Sequence, residues 1–403
     1  MLTYEQALKL VLWQTPAPRR AREAPAQALG LVLAESATAA IDLPRFDNAA
    51  VDGYALGPEP DGVSVPGGLH YLRIIGCAAP GAPFRGRLRP GQAVRILTGA
   101  MVPHGADRLI MQEHVARRGA AIIVDRWPDA HRHIRRRGED LRRGTRVIKA
   151  GVRLRPQDIG LLAALGHRSI HVYRPPSVAI LTTGDELRQP GGRLEPGQIY
   201  ECNGALLETL VRREGATVAR SGMARDALAT IISEVRRGLA CDILLVCGGV
   251  SVGDKDFARQ AMQACGVKEV FWRVNIKPGM PLFFGKRGRT LVFGLPGNPV
   301  SVFVNFEEFV KPAIHRFMGR AWRDAYDEPA ILVSDLQVSR TRRTHFIRVR
   351  CSSQNQLVAE PVEQQGSHHL GSVAATDGWI RVVADRGPWR AGASVWVKRE
   401  VVA

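Results

Sequence analysis

Apolar and polar positions follow two different rhythms along this chain. From Ser177 onward, apolar runs of strand length alternate with stretches whose apolar residues fall at helical spacing. Ser177–Thr183 is β-branched and apolar and stops at Gly184, and Asn203–Glu214 follows with Leu206, Leu207, Leu210 and Val211 on one helical face. Strands are predicted over Thr217–Ser221, Asp242–Cys247 and Val267–Val274, with helices over Asp226–Leu239 and Asp256–Cys265 between them. Two short strands, Leu282–Phe284 and Thr290–Phe293, lead into a helix from Pro299 to Met318. This alternation implies a mostly parallel sheet with helices on both faces.

The flanking regions read differently. Residues 46–148 are rich in Gly and Pro, with short extended runs at Tyr71–Ile75, Ala93–Leu97 and Ala121–Val124, the pattern of a small β domain. Helices are predicted over Met1–Leu12, Ala26–Leu33 and Pro156–Leu165, and they are expected to pack together with the β domain inserted between them. The tail alternates turn residues with short strands at Ile331–Val333, Phe346–Arg350, Trp379–Val383 and Ser394–Lys398. The expected fold is therefore multidomain, α/β plus β. It divides into a discontinuous N-terminal domain (1–46 and 149–176), an inserted β domain (47–148), an α/β domain (177–325) and a C-terminal β domain (326–403).

Composition narrows the class. With 403 residues, 45% hydrophobic and 23% charged, the chain has the balance of a folded protein of several domains. No stretch approaches the roughly 20 uncharged apolar residues of a membrane-spanning helix. The first residues carry Glu5 and Lys9 and lack the layout of a secretory signal, so a cytoplasmic location is expected. Six scattered cysteines form no C-x-x-C pair and read as small buried hydrophobes.

Charge is the outlier, with 56 basic against 38 acidic residues for a net +18. The excess is concentrated in His131–Arg155, where ten Arg and Lys face only Glu139 and Asp140. That run has no aromatic residue for base stacking, and the chain shows no zinc finger or RNP signature. A solvated face, or one that attracts small anions, is favoured over a nucleic-acid surface.

Candidate chemistry lies in the loops. Ligands of open α/β sheets bind beyond the carboxyl ends of the strands. Thr182-Thr183-Gly184-Asp185-Glu186 leaves two adjacent acids at one such end. Gly248-Gly249-Val250-Ser251-Val252-Gly253-Asp254-Lys255-Asp256 sits at another, with three glycines that let the backbone approach an anion and two acids, Asp254 and Asp256, suited to Mg²⁺. In Pro296-Gly297-Asn298-Pro299, Asn298 suits a helix N-cap and Pro299 the first helical position, so the helix start could receive an anion. Lys277-Pro278-Gly279 adds a cation. Earlier in the chain, Asp52 precedes Gly53, Thr98 closes a strand, and Asp140 lies in the basic run. An Asp-Gly turn and a functional site account equally well for Asp52. Neither G-x-G-x-x-G nor a P-loop is present.

Eight ordered stretches resemble the molybdopterin molybdenumtransferase (MoeA-type) family, which also includes the C-terminal domain of gephyrin. They are DNAAVDGYAL (47–56), RILTGAMVPHGAD (95–107), GEDLRRG (138–144), AILTTGDEL (179–187), GQIYECN (197–203), CGGVSVGDKD (247–256), IKPGMPL (276–282) and GLPGNPVSV (294–302). The resemblance implies a homodimer in which molybdenum from molybdate enters the dithiolene of adenylylated molybdopterin, with Mg²⁺-dependent release of AMP. It implies catalytic roles for Asp52, Thr98, Asp140, Glu186, Asp226, Asp254 and Lys277, with Glu186 and Asp254 on the metal. It places Gly248, Gly249, Ser251, Gly253, Arg273, Pro296, Gly297, Asn298, Ser301, Arg343, Ser367 and Ser372 around the substrates. Asp226 suits a helix N-cap equally well. Met280 stands where a second lysine is common, and His345 where an acid is common. Transient partners implied are the adenylyltransferase and molybdoenzyme chaperones, with no nucleic acid and no membrane. The alternatives are the adenylyltransferase step itself and a gephyrin-like scaffold. The dimeric habit leads to the expectation that Asp52 and Thr98 of one subunit face Glu186, Asp254 and Lys277 of the other.

Overall fold

The computed structural model describes residues 1–58, 68–249, 257–336, 338, 343–353, 356–383 and 389–399. The chain forms two units, one of Glu35–Ile170 with Ala24–Gln27, the other of Met1–Glu23, Ala28–Ala34 and His171–Ala403.

The first unit is built on a six-stranded sheet in the order Arg108–Met111, Gly53–Leu56, Gln92–Ile96, His70–Ala78, Ala121–Val124, Ala116–Arg118. Leu56, Val94, Ile96, Leu109 and Ile122 fill its core, and Val94, Ile96 and Ile122 lie in extended runs that the sequence predicts. The helix Pro156–Ala164 starts with Pro at its first turn, and Asp158 folds back to accept from the Arg155 N–H at 2.9 Å.

The predicted helix Ala26–Leu33 is replaced by a single 3-10 turn at Pro25–Gln27 and a strand at Val32–Leu33. Gly30, at φ +76°, interrupts the helical run, and the buried Val32 and Leu33 find antiparallel partners in Tyr173 and Val172. The N-terminal helix, Tyr4–Gln14, belongs to the other unit. Its buried stripe of Tyr4, Ala7 and Val11 repeats at helical spacing, and the Tyr4 ring meets Phe309 and Phe346 edge-on.

The second unit holds the predicted α/β sheet, in the order Thr217–Ala224, Ser177–Thr183, Ile243–Cys247, Thr290–Leu295, Phe283–Arg287, Lys268–Trp272. The first four strands are parallel, and Phe283–Arg287 pairs antiparallel with both of its neighbours. Val178, Ile180, Ile243 and Leu245 pack into one core and Ala179, Leu181, Leu244 and Val246 into the opposite one, so the central strands are apolar on both faces. The helix predicted over 299–318 runs as Pro299–Asn305, a π turn at Phe306–Val310, and Lys311–Phe317.

The tail closes on itself. Thr344–Ser353, Leu357–Pro361, Glu328–Leu332, Ser394–Arg399 and Gly378–Val383 follow one another, and the last pairs back onto the first. The strand Leu357–Pro361 and the helix Leu370–Ala374 were not predicted. Ile276–Lys277 joins this sheet in parallel with Thr344–His345, and Phe303 stacks on Trp379 at 5.3 Å between ring centres. Those two contacts bring the tail to the edge of the α/β sheet.

Candidate functional site

Three parallel strands end at one place. Thr182–Gly184, Cys247–Gly249 and Pro296–Asn298 line a cavity of about 720 Å³ together with Glu186, Ile199, Tyr200, Asn203, Asp226 and His368. The size is that of a small-molecule pocket. Gly248, at φ +97°, is required here, because a Cβ would lie 2.5 Å from the Thr183 carbonyl oxygen. Thr183 Oγ1 is buried without a hydrogen-bond partner among the described residues. The Glu186 carboxylate folds back over Gly184, and Asp185 accepts the Asp226 N–H at 3.2 Å. Asp226 is not a helix cap, since Ala227 holds that position ahead of the helix Leu228–Gly238.

A second hollow of about 440 Å³ adjoins the first, with Pro281, Pro296 and Asn298 common to both walls. It is lined by Lys277, Arg343, His345, Ser301, Ser367 and Gln365, and none of the described residues that line it is a carboxylate. Lys277 is exposed, and its strand pairing sets it opposite His345. Burial, and then the Lys277 and Arg343 charges, push the His345 imidazole down to about 4. It is neutral at pH 7, so the charges that line the hollow are both positive.

Asn298 occupies the N-cap position but does not cap. Its Nδ2 donates to Ser367 Oγ at 3.1 Å, while the Val300 N–H donates to the Ser367 carbonyl at 3.3 Å. The helix start that the sequence offered to an anion is therefore partly taken up by the tail. Asn203 donates to the Gly297 carbonyl at 2.8 Å and holds the loop from the other side.

Sequence models of three family regions cover most of the chain: the MoeA N-terminal region (domain I and II) at 2–166, a probable molybdopterin binding domain at 179–316, and the MoeA C-terminal region (domain IV) at 335–398. A molybdopterin molybdenumtransferase of Haemophilus influenzae is 34% identical over 404 residues, 99% of this chain and 98% of that protein. The chain belongs to the molybdopterin molybdenumtransferase family. Molybdopterin molybdenumtransferase 2 of Mycobacterium tuberculosis is 34% identical over 367 residues, 89% of this chain and 90% of that one. Among solved structures, a molybdopterin biosynthesis MoeA protein of Pyrococcus horikoshii superposes with a TM-score of 0.83 at 29% identity, covering 99% of each chain.

Several residues expected at the site of a molybdopterin molybdenumtransferase lie elsewhere or are differently engaged. Arg273 lines neither hollow, and its guanidinium stacks on Trp272 at 4.2 Å from the ring centre. Ser372 turns its hydroxyl onto the His369 carbonyl at 2.5 Å and lines a separate hollow with Arg350 and Glu360. Ser251, Gly253 and Asp254 lie outside the described residues.

Asp52, Thr98 and Asp140 belong to the other unit. Asp52 Oδ1 accepts from both the Thr98 N–H and the Thr98 hydroxyl at 2.7 Å, and these bonds, the backbone one first, hold its carboxyl below the usual range. The pair is exposed, which leaves its other oxygen lone pairs to solvent or a ligand. Asp140 is exposed in a turn whose N–H donates to the Leu43 carbonyl at 3.1 Å.

Sequence reasoning missed Arg348. Its side chain is fully buried with no carboxylate partner among the described residues, and Nη2 donates to the carbonyls of Gln364 at 2.8 Å and Gly366 at 3.2 Å. Gln365 grips the Arg348 backbone in both directions, at 3.1 and 2.8 Å. Arg348 thereby shapes the loop that carries Ser367, and burial lowers its own proton affinity to about 10, still well above neutral pH. The available signal was its place on the inward face of the strand, two residues beyond Phe346.

Proposed function

We propose that the chain acts in molybdenum cofactor biosynthesis, transferring molybdenum from molybdate into the dithiolene of adenylylated molybdopterin with Mg²⁺-dependent release of AMP. The observation that carries this reading is the adjoining of two hollows of opposite character. One is cationic and, among the described residues, free of carboxylates, and the other bears Glu186 and Asp226. Lys277 and Arg343, with the Ser301 and Ser367 hydroxyls, suit a tetrahedral dianion such as molybdate. The larger cavity suits the pterin nucleotide, whose phosphates would meet the Gly248-Gly249 backbone.

Among the described residues no group of three metal-ligating side chains is assembled. Glu186 and Asp226 nonetheless supply the oxygen donors Mg²⁺ takes while keeping several waters, and Asp254 is a further candidate. When bound, the cation would neutralise charge developing on the phosphoanhydride. The chain's own part is to hold molybdate beside the dithiolene. Both thiol protons leave with one oxo group as water, so the exchange needs no oxidant, and a water adds across the phosphoanhydride to release AMP and leave the pterin its own phosphate. We extend the proposal to a cytoplasmic homodimer in which Asp52 and Thr98 of one copy serve the hollows of the other. Transient contacts would pass substrate in from the adenylyltransferase and product on to molybdoenzyme chaperones.

The test is to incubate the purified protein with adenylylated molybdopterin, molybdate and Mg²⁺ and to follow AMP and molybdenum cofactor. Molybdate-dependent AMP release is expected. ATP-dependent adenylylation of molybdopterin, or no turnover by folded protein, overturns the reading in favour of the adenylyltransferase or the scaffold.

A further inference from the structure

Asn305 is fully buried at the end of the helix Pro299–Asn305, in a stretch where Val302, Phe303, Val304 and Phe306 are all buried and apolar. An amide there needs a reason, because its Oδ1 is buried with no hydrogen-bond partner among the described residues. Its Nδ2 donates to the Gly279 carbonyl at 3.1 Å. Gly279 is in a left-handed conformation at φ +102°, and a Cβ on it would lie 2.9 Å from Asn305 Nδ2 and 3.1 Å from Oδ1. The side-chain amide therefore lies directly against the turn that follows Lys277.

Asn298, Ser301 and Asn305 are spaced i, i+3 and i+7, which places them on one face of the helix. Asn298 and Ser301 line the cationic hollow, while Asn305 holds the turn whose first residue is Lys277. The opposite side of that turn is anchored by the Val274 N–H on the Met280 carbonyl at 3.0 Å and by the pairing of Ile276–Lys277 with Thr344–His345. One helix thus carries Ser301 and braces the backbone of the turn from which Lys277 projects.

We propose that Asn305 is a positioning residue for oxyanion binding, acting through the Lys277-Pro278-Gly279 turn. This rests on the reading of the second hollow as the molybdate site. An apolar residue of the same size would keep the packing and remove only the grip on the turn.

The experiment measures molybdate affinity by equilibrium dialysis, adenylylated molybdopterin affinity by titration, and thermal melting, for the parent, Asn305→Leu and Asn305→Thr. Asn305→Leu is expected to weaken molybdate about tenfold, the scale of one lost hydrogen bond to the turn, while leaving pterin affinity within about twofold. Asn305→Thr keeps a donor and is expected to recover most of the loss. Should Asn305→Leu fail to fold, Gly279→Ala, which drives a Cβ into the amide, is expected to show the same selective loss. Parental molybdate affinity in the folded variants, or parallel loss of both ligands, overturns the role of Asn305 alone. A parent that binds no molybdate overturns the reading of the hollow and this inference with it.

Discussion

Asp52 shows how little a single residue's neighbours in sequence say about its use. Gly53 follows it, as in a simple turn, yet its carboxylate reaches forward to Thr98 rather than to its own backbone. Two donors to one oxygen stabilise the ionised form, so the folded carboxyl titrates below its unfolded value. The stability this contributes is present above the unfolded value and disappears as pH falls through the folded one. Thr98→Val removes the hydroxyl donor and keeps the backbone one. Asp52 in that variant is expected to titrate higher than in the parent, followed by carboxyl carbon shifts in NMR. An unchanged titration would show that the hydroxyl bond does not form in solution.

At the scale of elements, the helix 299–317 carries both function and assembly. Its first turn supplies Asn298 and Ser301 to the hollow, and its π turn directs Glu307 and Glu308 into the interior. There Lys398 of the last strand meets both carboxylates, at 2.9 and 3.0 Å, and Tyr4 of the first helix donates to Glu308 at 2.8 Å. The two ends of the chain are thus tied to one widened helical turn. A π turn inserts one residue into the helical register, which is how two adjacent acids can both point inward. Beyond it, His315 and Lys311 hold Glu214 at 2.8 and 3.4 Å. Burial alone would raise the Glu214 carboxyl, but these partners and Arg213 outweigh it and bring it down to about 2. Glu214→Gln is therefore expected to lower stability at pH 7 by on the order of 3 kcal/mol, the linkage equivalent of that shift. The sign follows from a depressed carboxyl, whose contribution is full above its unfolded value and fades as pH falls toward 2. Urea unfolding from pH 7 to pH 3 should show the gap between parent and variant closing, and a gap independent of pH would rule out charge as its cause.

At the scale of the whole molecule, the residues the family resemblance groups together are divided between two units. Glu186, Asp226, Lys277 and Arg343 sit in one and Asp52, Thr98 and Asp140 in the other. If the proposed dimer shares its sites, mixing inactive Asp52→Ala and Lys277→Ala proteins under subunit exchange restores activity. Random pairing makes half of the dimers mixed, each with one intact site, so about a quarter of parental activity is expected. No recovery after verified exchange would mean that each copy completes its own sites.

Much of this protein was legible from its sequence alone. Ser177–Thr183 and Ala121–Val124 form the strands predicted for them, and Asn203–Arg213 forms its helix to within one residue. Such elements are specified locally, since a strand buried on both faces must be apolar throughout and a packed helix must repeat its apolar residues every turn. The glycine loops were legible for the same reason, because close backbone approach at Gly248 tolerates no side chain. What depends on distant partners was decided only by tertiary structure. Val32–Leu33 is a strand because Val172 and Tyr173 lie beside it, and Asn298 forgoes capping because Ser367 reaches it from the tail. The turn of Ser372 away from the hollow, the burial of Arg348 behind the Ser367 loop and the alignment of Lys277 with His345 have the same origin. The last three depend on which strands pair in the closing of the tail sheet, and that choice is a property of the whole packed core rather than of any local run of residues.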